Sequence, residues 1–255
     1  VKFNVPVVRG TIDRRMLINF RVAPEVLQRN LPAPFRVKTV RGWGMAGICL
    51  IRLKDMRVGF APAAVGLTSE NAAHRIAVEW DDNNGTREGV FIPRRDTSSR
   101  LNTIVGGRIF PGVHHLGNFD VRETESEFRL HMHSEDGHTR VVLEAEIADQ
   151  LPGTSIFRSV AEASAFFERG ALGYSVTATP GEFDGLELKS FRWRIEPLAI
   201  RRVESSFFAD RSRFPDGTVE FDNALLMRGI EHEWHARGTL RSAAFTPFQR
   251  LRIES

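Results

Sequence analysis

The chain has 255 residues, 42% of them hydrophobic and 26% charged, which excludes a disordered chain and fits one domain or two small ones. A single cysteine, Cys49, excludes a disulfide framework and a cysteine-rich zinc module. The formal charge of +3 is small, and the arginines are interleaved with Asp and Glu, so the basic stripe of a nucleic-acid-binding protein is absent.

The predicted elements are mostly strands. Met16 to Val22 reads as a strand, and Ala23-Pro24-Glu25 opens a short helix that ends before Leu31-Pro32-Ala33-Pro34. Gly44 to Leu53 is an apolar strand rich in small residues. In Ala72 to Trp80, Ile76, Val78 and Trp80 share one face, while Arg75 and Glu79 lie on the other. Asp81-Asp82-Asn83-Asn84-Gly85 is a hairpin turn, and Gly89 to Ile92 is the returning strand. A helix is expected over Thr97 to Arg108 with Asp96 as its N-cap, weakened at Gly106 and Gly107. Phe128, Leu130 and Met132 alternate before the turn Ser134-Glu135-Asp136-Gly137, and Val141, Leu143, Ala145 and Ile147 alternate after it. Ser159 to Arg169 reads as a second helix, and strands follow at Gly173 to Thr179, Leu186 to Pro197 and Leu226 to Trp234. Many strands with a few inserted helices imply an antiparallel barrel or sandwich, in one domain over 1–255.

No apolar run approaches the roughly 18 residues of a membrane span, and no signal-peptide pattern opens the chain. The expectation is a soluble, cytoplasmic protein without a membrane partner.

Several residues resemble the acetoacetate decarboxylase-like superfamily. They are Asn19-Phe20-Arg21-Val22 leading to Pro32-Ala33-Pro34-Phe35, Gly66-Leu67-Thr68-Ser69-Glu70-Asn71, and Gly89-Val90-Phe91-Ile92 followed by Asp96-Thr97-Ser98-Ser99. Gly107-Arg108, Val113-His114-His115, Phe166-Phe167-Glu168-Arg169 and the Trp193 to Pro197 strand continue the pattern. The chain looks closest to a branch that lacks the decarboxylase's lysine pair. The resemblance implies a mainly β fold: an antiparallel, cone-like β-barrel around a small-molecule pocket, with a few short helices. It also implies a homo-oligomer. For the decarboxylases proper it implies cleavage of a β-keto acid through a lysine Schiff base, whose nucleophile is tuned by a second lysine.

The departure lies at that lysine. Only four lysines occur, Lys2, Lys38, Lys54 and Lys189, and Lys54 alone is near a strand-like core segment. Matched without a gap from Gly107-Arg108, Gly112 falls on the family's second glycine, His115 on the nucleophilic lysine and Leu116 on its partner. A one-residue shift places His114 and His115 on the two lysines. Imidazole forms no iminium, so Schiff-base chemistry is not expected, but a neutral histidine can act as general base or acid near pH 7. Adjacent strand residues face opposite ways, so one of the two enters the pocket. The resemblance makes Glu70 the pocket glutamate and Glu88 a second acidic position. Arg108 supports the loop or binds substrate. The family also has a pocket arginine nearer the N-terminus, where Asp13, Arg14 and Arg15 lie.

Other histidine groups carry less. His131-Met132-His133 places two histidines on one strand face without a third ligand at metal-site spacing, and His232-Glu233-Trp234-His235 lacks the zincin spacing. No metal and no cofactor are expected. Two functions remain: an enzyme acting on a small oxo acid through His115, His114 and Glu70 with Glu88 and Arg108 binding substrate, or a non-catalytic binding protein with a small-molecule ligand in the same barrel.

Overall fold

The computed structural model describes residues 7–58, 67–100, 103 and 112–242. The predicted strands are present and mostly longer than their apolar cores, but the one expected over Gly173 to Thr179 ends at Val176. They are β1 (Val8–Val22), β2 (Arg36–Val37), β3 (Thr39–Val40), β4 (Trp43–Val58), β5 (Leu67–Asp82) and β6 (Gly85–Thr97). The rest are β7 (His115–Glu123), β8 (Glu127–Ser134), β9 (Arg140–Ile147), β10 (Leu172–Val176), β11 (Glu182–Ser190), β12 (Glu196–Ser205) and β13 (Val219–Arg241). Among the described residues, the helices α1 (Pro24–Arg29) and α2 (Val160–Glu168) are inserted between them.

Local chemistry sets the boundaries. Pro24 occupies the first turn of α1, where its missing N–H costs nothing. The Ser159 hydroxyl caps α2 by accepting the Glu162 amide at 3.1 Å. Gly85 and Gly137 take positive φ in the two predicted turns. The single predicted strand over Leu186 to Pro197 is two, because the chain leaves the sheet between β11 and β12.

The helix expected from Thr97 needs correction at its start. Asp96 and Thr97 lie in β6, paired with Ala72 and Asn71 of β5 and with His115 and Leu116 of β7. Asp96 is therefore no N-cap: its carboxylate accepts the Arg94 guanidinium at 2.6 Å, and the Thr97 hydroxyl accepts the Ser99 amide instead. Thr103 is helical, while 101–102 and 104–111, with Gly106, Gly107 and Arg108, lie outside the described residues.

The sheet closes on itself twice. Its order is β11-β10-β6-β7-β8-β9-β12-β13-β1-β4-β5-β2, and additional pairings join β6 to β5 and β11 to β13. One ring therefore runs β5-β6-β7-β8-β9-β12-β13-β1-β4, and a second runs β5-β6-β10-β11-β13-β1-β4. Pairing is antiparallel except where β6 meets β7 and β10. The first ring is filled by the inward alternation of its strands, including Met16, Ile18, Leu50, Ile76, Leu130, Met132, Leu143 and Leu226. Full burial of such a side chain contributes about 1.5–3 kcal/mol.

The shared strands β1, β4 and β5 are thus covered on both faces. Their other face carries Leu17, Cys49, Ile51, Ala73 and Ala77 and packs against Phe157, Phe166 and Phe167 at α2. This second face lines a cavity. Among the described residues no helix is long and apolar enough to cross a membrane.

Candidate active site

The cavity lies inside the second ring and has a volume of about 100 Å³. Cys49, Asn71 and Ala73 form its floor, Gly170 and Gly173 one wall, and Leu186, Leu188 and Trp234 another. Small side chains on the floor leave the space. Three arginines enter it: Arg15 from β1, Arg75 from β5 and Arg95 from β6.

Each guanidinium is held by neutral groups. Arg15 Nε donates to Cys49 Sγ at 3.3 Å, and its guanidinium lies 6.0 Å from the Trp193 ring centroid. Arg75 is buried and lies 5.1 Å from the Phe167 ring centroid. Its Nη2 donates to Asn19 Oδ1 at 2.5 Å, while Nε has no partner. Gly47 makes that reach possible, because it pairs with both Asn19 and Arg75, and a Cβ there would sit 2.3 Å from the Ile18 carbonyl oxygen. Arg95 Nε donates to Ser175 Oγ at 2.8 Å.

No carboxylate pairs with any of the three among the described residues. Asp96 borders the cavity, but its carboxylate is bound by Arg94. The stretches outside the described residues contain one acidic side chain, Glu254. The cost of burying charge without compensation appears directly: desolvation pushes Arg75 and Arg95 down to about 10 each. For Arg75 the nearby positive charge of Arg15 adds to the fall.

His114 supplies the remaining chemistry. It precedes β7 and lines the cavity beside Arg95 and Asp96. The segment is fixed by the Val113 amide, which donates to the Val176 carbonyl at 3.0 Å. Gly112 takes φ +91°, and a Cβ there would meet Ser175 Cβ at 2.5 Å. His114 Nδ1 lies 3.2 Å from the Gly112 carbonyl, which makes Nδ1 the donor nitrogen and leaves the lone pair on Nε2. Burial, then the Arg95 charge, pushes this imidazole down to about 3, so it is neutral at pH 7. His114 also borders an outer hollow with Thr103, Thr177 and Asp184, and so stands between two spaces.

The other expected site residues are elsewhere. His115 points to the opposite side, with Nδ1 3.1 Å from Asp136, and Asp136 is also bound by Arg94. Glu70 projects from the first-ring face of β5, where Arg14 Nη2 and Arg52 Nε hold its two oxygens at 2.6 and 2.5 Å. Glu123 joins this cluster through the same two arginines, and their bonds outweigh burial to hold it below the usual carboxylate range. Glu88 bridges Lys38 and Arg169 and does not border the cavity. Arg108 lies outside the described residues. Thus His114 and the cavity arginines come together, whereas His115 contacts Asp136, and Glu70 and Glu88 stand in separate ion pairs.

None of Lys38, Lys54 and Lys189 lines the cavity, and Lys2 lies outside the described residues. Lys54 bonds Asp13 at 2.8 Å near the strand end. His131 and His133 project from the exposed face of β8, and no three His, Cys, Asp or Glu side chains form a metal-binding group among the described residues.

A double ring of sheet around a basic cavity defines the class: the chain has the acetoacetate decarboxylase-like fold. An acetoacetate decarboxylase-like enzyme from Sphingomonas wittichii RW1 aligns over 94% of this chain and 93% of its own, with TM-score 0.55 and 14% identity. Acetoacetate decarboxylase from Legionella pneumophila subsp. pneumophila str. Philadelphia 1 covers 92% of this chain and 88% of its own, with TM-score 0.55 and 12% identity. The enduracididine biosynthesis enzyme MppR complexed with pyruvate covers 94% of this chain and 91% of its own, with TM-score 0.56 and 9% identity. No family model and no curated protein matches the sequence.

Proposed function

We propose that the cavity binds a small organic carboxylate, an oxo acid by class, and that His114 moves a proton at the bound molecule. The observation that carries this reading is the convergence of Arg15, Arg75 and Arg95 on one space, none of them paired with a carboxylate among the described residues. An anion entering there replaces lost hydration with charge-assisted hydrogen bonds. The pyruvate bound to the structurally similar MppR is a ligand of that class.

The chemistry follows from the charges. In the empty cavity the Arg95 charge helps hold His114 neutral and weakly basic. A bound carboxylate offsets that charge and raises the imidazole toward the working range. His114 Nε2 then takes a proton from the carbon beside the ligand's carbonyl. The C–H electron pair becomes the C=C bond of an enolate as the carbonyl π pair moves to oxygen, and a cavity guanidinium stabilises that oxygen. The imidazolium returns the proton to carbon or passes it to the outer hollow. No lysine adduct and no cofactor enter the scheme.

Exchange of the pyruvate methyl protons in deuterated water, followed by proton NMR, tests it. The native protein should accelerate exchange. His114→Gln should still bind pyruvate and lose the acceleration. Native protein that binds pyruvate without exchange would favour the non-catalytic binding protein, a reading that the weak basicity of His114 in the empty cavity supports. Absence of binding would remove both.

A further inference from the structure

We infer, building on the carboxylate reading above, that the preferred ligand carries two acidic groups: a small dicarboxylate held at both ends. Arg15 and Arg95 are the two anchors. They stand on β1 and β6, with β4 and β5 between them. Three strand steps of about 4.8 Å place their backbones roughly 14 Å apart before the sheet curves. Arg15 pairs with Ile51, and Ile51 with Asn71; two residues along the strands, Cys49 pairs with Ala73, and Ala73 with Arg95. The arginines therefore face the same space from opposite walls, across a floor of short side chains.

The two ends differ chemically. At the first, Arg15 lies against Cys49 and Trp193, close enough to Arg75 for their charges to repel. At the second, Arg95 is fixed by Ser175 and acts on His114. One carboxylate at either end leaves the guanidinium at the other end half-buried and unneutralised. A dianion satisfies both and lowers the residual charge of the cavity from two to one. The end beside His114 is the reactive end, and the Arg15–Arg75 end selects for the distal acid.

Titration calorimetry at pH 7 with matched acids tests this: succinate against butyrate, and glutarate against pentanoate. At least one dicarboxylate should bind about tenfold or more tightly than its matched monocarboxylate. Arg15→Gln should remove that preference, weakening the dicarboxylate at least about fivefold more than its matched monocarboxylate. Arg15→Lys, which keeps a charge at the position, should retain part of it and serves if the Gln variant does not fold. Equal affinities within each native pair would overturn the inference and leave the carboxylate reading standing. So would loss of both acids alike in a folded Arg15→Gln protein. If neither acid class binds the native protein, both readings fall.

Discussion

Replacing Arg75 with methionine should make the empty protein more stable and its ligand binding weaker. Arg75 is buried, and desolvation has brought it down to about 10 from a guanidinium's ordinary range above 12. At about 1.4 kcal/mol for each tenfold, that fall corresponds to roughly 3 kcal/mol of unfavourable burial. Because the folded value lies below the unfolded one, the penalty is fully present at pH 7 and is relieved only as pH rises through about 10. Methionine keeps most of the stem and its contact with Phe167. It gives up the bond to Asn19, which costs about 2 kcal/mol. The net expectation is a gain of about 1 kcal/mol, or a rise of roughly 2–4 °C in Tm for a chain of this size. Urea denaturation and a thermal melt measure it. The same variant should bind pyruvate about tenfold or more weakly, since a charge-assisted hydrogen bond is lost. A loss of more than about 2 kcal/mol in the empty protein would refute the reasoning, because it would mean that the Arg75 charge is compensated where it lies.

Acid should destabilise the protein between about pH 6.5 and 4, through histidines that are buried neutral. Burial lowers His114 and His74 to about 3 and His232 to about 4, below their unfolded values, so the unfolded chain binds more protons and stability falls with pH. Each contributes about 1.4 kcal/mol per pH unit in that window, and His114→Gln should remove one such share from the pH dependence of the urea midpoint. Saturating pyruvate should raise the His114 titration, read from its ring-proton NMR shift, whereas an unmoved titration would separate His114 from the ligand. Glu70→Gln should cost about 1–3 kcal/mol, because Arg14 is almost fully buried and loses one of its two carboxylates, yet leave pyruvate affinity within about twofold. Loss of binding by a folded Glu70→Gln protein would return Glu70 to the site.

Most of the fold was legible from alternation and turn chemistry. Phe128-Leu130-Met132, the Asp81 to Gly85 turn and the Ser159 to Arg169 helix each carry a local signal that the structure follows. β7 gave no such signal, because its His115–Glu123 segment is mostly half-exposed and polar, and partner strands rather than an apolar face hold it. Asp96 had the sequence context of a helix cap, but a neighbouring arginine two residues earlier captured its carboxylate.

The site was harder to see, for a topological reason. Alternation marks one face of a strand as apolar and assigns the other to solvent. In β5 the polar alternates Asn71 and Arg75 occupy a face that the second ring encloses, and nothing local announces that ring. The small residues that accompany them, Ala73 on β5 and Gly173 on β10, are the available clue, since a run of short side chains beside arginines leaves room for something else. The family resemblance pointed to His114 and His115, of which His114 lines the cavity and His115 does not. Their opposite orientations decided which of the two meets the cavity.

The most direct test is a crystal structure of the protein grown with a small carboxylate such as pyruvate or glutarate. The account predicts density in the second ring, with carboxylate oxygens about 2.7–3.2 Å from guanidinium nitrogens of at least two of Arg15, Arg75 and Arg95. A ligand found only outside the cavity, or a saturated crystal in which the arginines make no contact with it, would contradict the account.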